Sequence, residues 1–145
     1  MMVYYSKIGG KFYPLVFSLG AKKQVKQIYG TLARIKLYSQ SQEHTELETV
    51  ESSAAGIDVV TTLAEIMIKQ GVAYKNHFEK DYKIRPNSAA DENGVWYGIS
   101  KEEIEAVITD EEFNSLSDKI FTAIKNSNGT IKTKSKNNKA TQEQQ

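Results

Sequence analysis

Two histidines and a scatter of carboxylates are the residues with which this chain could do chemistry, and their spacing limits that chemistry. His77 and Asp81 stand at i and i+4, so a helix would place both on one face, where imidazole and carboxylate could ligate a metal. No third ligand has suggestive spacing, and a surface histidine accounts for the pair equally well. His44 lies in a polar stretch with no serine and carboxylate arranged as a nucleophilic triad would need. The chain has 145 residues and no cysteine, which excludes thiol nucleophiles, disulfides and thiolate metal centres. Glu102 and Glu103 are adjacent carboxylates, but they fall in the first turn after Ser100, where helix capping explains them. Gly9-Gly10 lacks both the G-x-G-x-x-G context and the trailing Lys-Ser/Thr of a phosphate loop. The expectation is a binding protein that is not an enzyme and uses neither metal nor cofactor.

Two features could carry binding. Tyr74, Phe78, Tyr82, Trp96 and Tyr97 cluster in one third of the chain, and aromatic residues dominate interface hot spots. A small helical domain also needs such residues as core, so both readings stand. The second feature is the lysine-bearing terminus with Lys132, Lys134, Lys136 and Lys139, which also reads as a solubilising tail. Net charge is only +1, but it is unevenly laid out. Residues 1–42 carry Lys7, Lys11, Lys22, Lys23, Lys26, Arg34 and Lys36 without an acid, whereas residues 91–118 hold nine acids against Lys101. Such blocks could steer an acidic partner to the N-terminal part, or attract one another within the fold.

The elements that must position these residues follow from pattern. Val3–Ile8 and Lys11–Phe17 are extended runs split by Gly9-Gly10, a dipeptide suited to a type I′ turn. A two-residue loop pairs Ile8 with Lys11, Lys7 with Phe12, Ser6 with Tyr13, Tyr5 with Pro14 and Tyr4 with Leu15. Pro14 then falls at a non-hydrogen-bonded pair, which makes its strand an edge. Met2, Tyr4, Ile8, Tyr13, Leu15 and Phe17 share one face, and a lone hairpin needs a helix over that face. Ser18 is the N-cap of a helix with Ala21, Val25, Ile28 and Tyr29 as its apolar stripe, closed at Gly30. A short helical piece follows with Leu32, Ile35 and Tyr38, and Ser39–Ser53 reads as a loop or a solvent-facing helix entry.

Ala54–Gln70 is the clearest helix, with Ile57, Val60, Leu63, Ala64, Met67 and Ile68 inward and Gly71 as its stop. A further helix over Val72–Ile84 would present Tyr74, Phe78 and Tyr82 as a stripe, ending before Pro86. Val95-Trp96-Tyr97 is an extended connector. Ser100 to Glu103 and Thr109 to Glu112 are successive capping boxes, so two helices meet at a corner, the first with Ile104, Val107 and Ile108 inward. Residues 126–145 hold one large apolar residue, Ile131, and should be disordered in isolation. No apolar run approaches the ~20 residues that span a bilayer, and no secretory signal is evident, so a cytoplasmic protein is expected.

The run I-x-G-K-x-Y-P-L-x-F-S-x-G-A stands here as Ile8, Gly10, Lys11, Tyr13, Pro14, Leu15, Phe17, Ser18, Gly20 and Ala21. Followed by a lysine-rich helix ending Ile28-Tyr29-Gly30, it resembles the N-terminal part of the tail assembly chaperones of bacteriophages with long, non-contractile tails. The likeness continues through the apolar helix ending Ile68-Lys69-Gln70-Gly71 and the helical end ISKEEIEAVITDEEFNSLSDKIFTAI, over about residues 3–125. The resemblance implies a non-enzymatic protein of the infected cell's cytoplasm, absent from the mature virion. It would bind the tape measure protein, keep it soluble and assist assembly of the tail tube, with the tail tube protein a further candidate partner. It also implies a short and a longer form related by frameshifting near the end of the shorter reading frame. The family carries no binding-residue motif to place on named positions, and Ser39–Ser53 and Tyr74–Arg85 depart from its pattern.

The expected fold is therefore α+β and mostly α: an N-terminal β-hairpin packed on a bundle of four to five helices in a single domain over 1–125, then a flexible polar tail over 126–145. Self-association is expected, because a long helical client favours many weak contacts from repeated copies. The alternative is a small nucleic-acid-binding regulatory protein using the basic N-terminal segment, although the sequence around Gly30 offers only a vague helix-turn-helix.

Overall fold

Gly9 and Gly10, at φ 60° and 87°, form the left-handed turn that the hairpin demands. They join β1 (Tyr4–Ile8) to β2 (Lys11–Leu15) in a two-stranded antiparallel sheet. The register is the one that a two-residue loop dictates, from Ile8 opposite Lys11 to Tyr4 opposite Leu15. The computed structural model describes residues 2–30, 53–79 and 84–139, with side chains described through residue 127. Four helices are found among the described residues: α1 (Leu19–Tyr29), α2 (Ala54–Phe78), α3 (Lys101–Val107) and α4 (Asp110–Lys139). The fold is α+β and mostly α, as the periodicities indicate.

Pro14 explains how the hairpin is packed. The amides of residues 12, 14 and 16 point away from β1, so a proline between them removes one donor from an outward-facing edge. The other two are satisfied by different parts of the chain: Phe12 donates to the Asn87 carbonyl at 2.7 Å and Val16 to the Met67 carbonyl at 3.2 Å. The second bond requires α2 to lie with its backbone almost on the strand. Gly71 permits this, because a Cβ there would stand 2.3 Å from the Pro14 carbonyl oxygen. Gly71 is therefore not the helix stop expected of it, and α2 runs on unbroken to Phe78. The glycine serves close approach, and residues 72–78 continue α2 instead of starting a separate helix.

The core lies on the other side of that contact. Leu63, Met67 and Ile68 of α2 are wholly buried with Ile8, Leu15 and Val25, each contributing about 1.5–3 kcal/mol. On α1, Ala21 and Val25 are buried, but Ile28 is exposed, because the stripe set by 21 and 25 continues through Tyr29. Met2 and Ile57, also expected inward, are exposed near their elements' ends. Ser18 caps α1, accepting from the Ala21 amide at 3.1 Å and donating to the Gln70 side chain of α2. Ser53 caps α2 in the same way through the Gly56 amide. The expected helical piece around Leu32–Tyr38 lies outside the described residues.

The two capping boxes form as read. Ser100 and Glu103 exchange bonds at the start of α3, and Thr109 and Glu112 exchange them at the start of α4. Ile104 is buried under α3, whereas Val107 is half exposed and closes over the hairpin tip beside Gly9. Then α4 lies along β1 with Leu116, Ile120 and Ile124 inward, and Lys119 donates to the Tyr5 carbonyl at 2.7 Å. The hairpin is thus held between α2 on the β2 side and α4 on the β1 side. The backbone of α4 carries helix as far as Lys139, since extending a formed helix fixes one residue per added bond. Among the described residues no helix is long and apolar enough to cross a membrane.

Candidate protein-binding cleft

With Gly71 inside α2, the helix face formed by Ala64, Ile68 and Gly71 continues to Lys75. A lysine thereby falls on the buried stripe, and its side chain is only 4 % exposed. Burying an ammonium costs several kcal/mol unless it is paired. Here Lys75 Nζ lies 3.1 Å from Glu79 Oε1 one turn on, 5.5 Å from the centre of the Tyr5 ring and 5.6 Å from that of Trp96. Two ring faces and a carboxylate replace its water. The Lys75 bond, and after it the Tyr74 hydroxyl bond at 3.0 Å, holds the Glu79 carboxyl below its ordinary value. The same bond to Glu79 raises the Tyr74 phenol.

Trp96 is brought to Lys75 by the connector between α2 and α3. The Ala89 amide donates to the Phe12 carbonyl at 2.9 Å and, with the Phe12–Asn87 bond, fastens residues 87–89 along the outer edge of β2. Asp91 then turns the chain back, accepting from the amides of Asn93 and Val95, and Trp96 pairs with Ala90. Asn76 of α2 clamps the Trp96 backbone from both sides, accepting from its amide at 2.8 Å and donating to its carbonyl at 3.0 Å. The indole is 4 % exposed, and among the described residues its Nε1 has no hydrogen-bond partner.

Between the hairpin and this connector opens a cleft of about 600 Å³, walled by Tyr5, Phe12 and Trp96, floored by Lys75 and rimmed by Arg85 and Ser88. Lys7 stands over the Phe12 ring with Nζ 5.9 Å from its centre. Among the described residues, Lys7, Lys75 and Arg85 thus gather about three aromatic rings, with Glu79 as an acid beside Lys75.

Of the five aromatic residues singled out from sequence, the four that are described do not make one surface. Tyr74 and Phe78 stack at 5.5 Å, with Phe78 71 % exposed. Trp96 turns into the cleft, while Tyr97, the next extended residue, points the other way and meets Tyr13 edge-on at 6.3 Å. Tyr82 lies outside the described residues, as does Asp81, the partner considered for His77. The His77 ring packs edge-on against Phe78 at 5.0 Å, and among the described residues no group of three His, Asp or Glu side chains could hold a metal. Sequence reading missed Tyr5, Phe12, Lys75 and Arg85. The signal was present in Lys75, which sits seven and eleven residues beyond Ile68 and Ala64 on one helical face once Gly71 is not taken as a stop. No protein-family model, curated protein or solved structure matches the chain.

Proposed function

We propose that this protein is a tail assembly chaperone of a long-tailed bacteriophage, working in the infected cell's cytoplasm and absent from the finished particle. It performs no reaction. It binds the tape measure protein, keeps that long helical chain from aggregating, and assists the tail tube in forming around it. The observation that carries the reading is the set of large apolar side chains left in solvent on helical surfaces: Leu19 at 81 %, Phe78 at 71 %, Ile28 at 54 % and Val107 at 49 % exposed. Separate apolar points on different helices suit many weak contacts along an extended client better than one deep pocket does. The likeness of the opening run and of the later helices to those chaperones supports the same reading.

Co-expression with the large tape measure protein of the same tail tests it. The expected result is a soluble client that co-purifies with the chaperone. A client that stays insoluble and uncaptured removes the proposal.

One observation favours the nucleic-acid reading. Lys22, Lys23 and Lys26 of α1 surround a shallow depression of about 400 Å³ with Leu19 and Gln27, a cationic surface that could follow phosphates. Titration with duplex DNA at low and high salt decides: binding that weakens steeply with salt favours this alternative, and no binding at low salt removes it.

A further inference from the structure

We infer that the cleft between the hairpin and the 84–97 connector is a docking site for acidic side chains of an extended peptide segment. The inference rests on the reading of the protein as a polypeptide-binding chaperone and names the chemistry of the segment it takes. The walls are Tyr5, Phe12 and Trp96, flat apolar faces that suit the aliphatic parts of a peptide. Among the described residues the charges are Lys7, Lys75 and Arg85 against Glu79, with Glu112 acting on Lys7 from the hairpin tip, so the opening is net positive and complementary to carboxylates. Two features point to a ligand beyond charge. The Trp96 indole N–H, on a residue that lines the cleft, is buried without a hydrogen-bond partner among the described residues, a polar group left unsatisfied at the cleft wall. Of the partners described for Lys75, Glu79 is the one open to exchange: it is the C-cap of α2 with its side chain 44 % exposed, whereas the Lys75 side chain is 4 % exposed. An incoming carboxylate takes the place of Glu79 on a fixed, preorganised cation, and Arg85 at the exposed rim adds a forked second contact.

Trp96 is the only tryptophan in the chain, so the site carries its own reporter. The full-length protein is titrated with a short peptide repeating Leu-Glu, with the matching Leu-Gln peptide, and with sodium acetate and inorganic phosphate at constant ionic strength. The acidic peptide is expected to change Trp96 emission saturably, and the amide peptide to bind about tenfold more weakly, the equivalent of ~1.4 kcal/mol. Lys75→Met, which keeps the aliphatic stem, and Arg85→Gln, on the exposed rim, should each weaken the acidic peptide by about five- to tenfold. Should Lys75→Met fail to fold, Arg85→Gln carries the test alone.

Equal binding of the two peptides overturns the inference, as does full affinity in Arg85→Gln. Acetate or phosphate saturating the emission change as tightly as the peptide overturns it too, making the cleft a free-anion site. If the tape measure protein is held in solution while the peptide titration is silent, the cleft assignment falls and the chaperone reading stands. If the acidic peptide binds and the client is not held, the chaperone reading falls and the peptide chemistry of the cleft remains.

Discussion

Gly71 and Glu112 each join the hairpin to a helix, and each can be tested alone. Gly71→Ala places a methyl 2.3 Å from the Pro14 carbonyl oxygen and 3.2 Å from the Leu15 amide nitrogen. Both are backbone atoms that cannot swing aside, so α2 must lift off β2 and stretch the Val16–Met67 bond. The substitution should cost about 2–4 kcal/mol, seen as a lower denaturant midpoint at unchanged slope; an unshifted midpoint would show that the helix does not lie so close. Glu112 accepts from the amides of Gly9 at 2.8 Å, Gly10 at 3.1 Å and Thr109 at 3.2 Å. Partial burial pushes its carboxyl up, but the three N–H groups and the Lys7 charge outweigh this and leave it below 4.5. A carboxyl depressed by folding stabilises the protein above its ordinary value, and that contribution is lost as pH falls through the depressed one. Glu112→Gln should therefore destabilise by about 1–2 kcal/mol at neutral pH, with the gap to the parent closing below pH 4.5. Parallel stability–pH curves would show that the charge plays no part.

At the scale of elements, some assignments were legible because they depend on neighbours in sequence. Gly9-Gly10 with Pro14 sets turn type, register and edge through local φ angles and missing donors alone. Ser100 to Glu103 and Thr109 to Glu112 announce two helix starts by the same kind of local rule. Gly71 was misread because a glycine that ends a helix and one that admits a strand against it look alike until the strand is in place. Lys75 is not legible as a site residue, because its burial depends on rings from β1 and from the connector, whereas Tyr74 and Phe78 stand out as neighbours at i and i+4. The double role of Glu112 was equally hidden, since Gly9 lies 103 residues away. The C-terminal half of α4 is the opposite case, helix continued over a sequence with little to bury. Asn126, Ser127, Asn128 and Gly129 are poor helix formers, and Gly129 alone costs about 1 kcal/mol relative to alanine. Truncation after Ser127 should lower the circular-dichroism helix signal while moving the unfolding midpoint by less than about 0.5 kcal/mol. A large loss of stability would mean that residues 128–139 pack on the body.

For the whole molecule, the ties across the chain decide how it behaves with its own copies. Glu112 holds the hairpin tip, Lys119 the Tyr5 carbonyl and Asn126 the Tyr4 hydroxyl, so the N-terminal ribbon is fastened to α4 along its length. The outer edge of β2 is bonded at Phe12 and Val16 and lacks a donor at Pro14, which leaves little for strand pairing between molecules. Association must then come from side-chain surfaces, and these carry opposite charge. Lys23 and Lys26 are exposed on α1, while Glu102, Glu103 and Glu105 of α3 and Asp110 and Glu111 of α4 are exposed together. A basic face on one element meeting an acidic face on another is a heterologous contact, which closes as a ring or continues as a chain. Such contacts weaken as the screening length falls from about 30 Å at 0.01 M salt to about 3 Å at 1 M. We expect light scattering on the purified protein to find species that grow with concentration at low salt and shrink as salt is added. Lys23→Glu with Lys26→Glu should reduce them at low salt at a stability cost of about 1 kcal/mol, since both side chains lie in solvent and Lys26 stands in the last turn of α1. A monomer at every concentration and salt would leave the repeated-copy mode of client binding without a basis, and the chaperone would then have to act one molecule at a time.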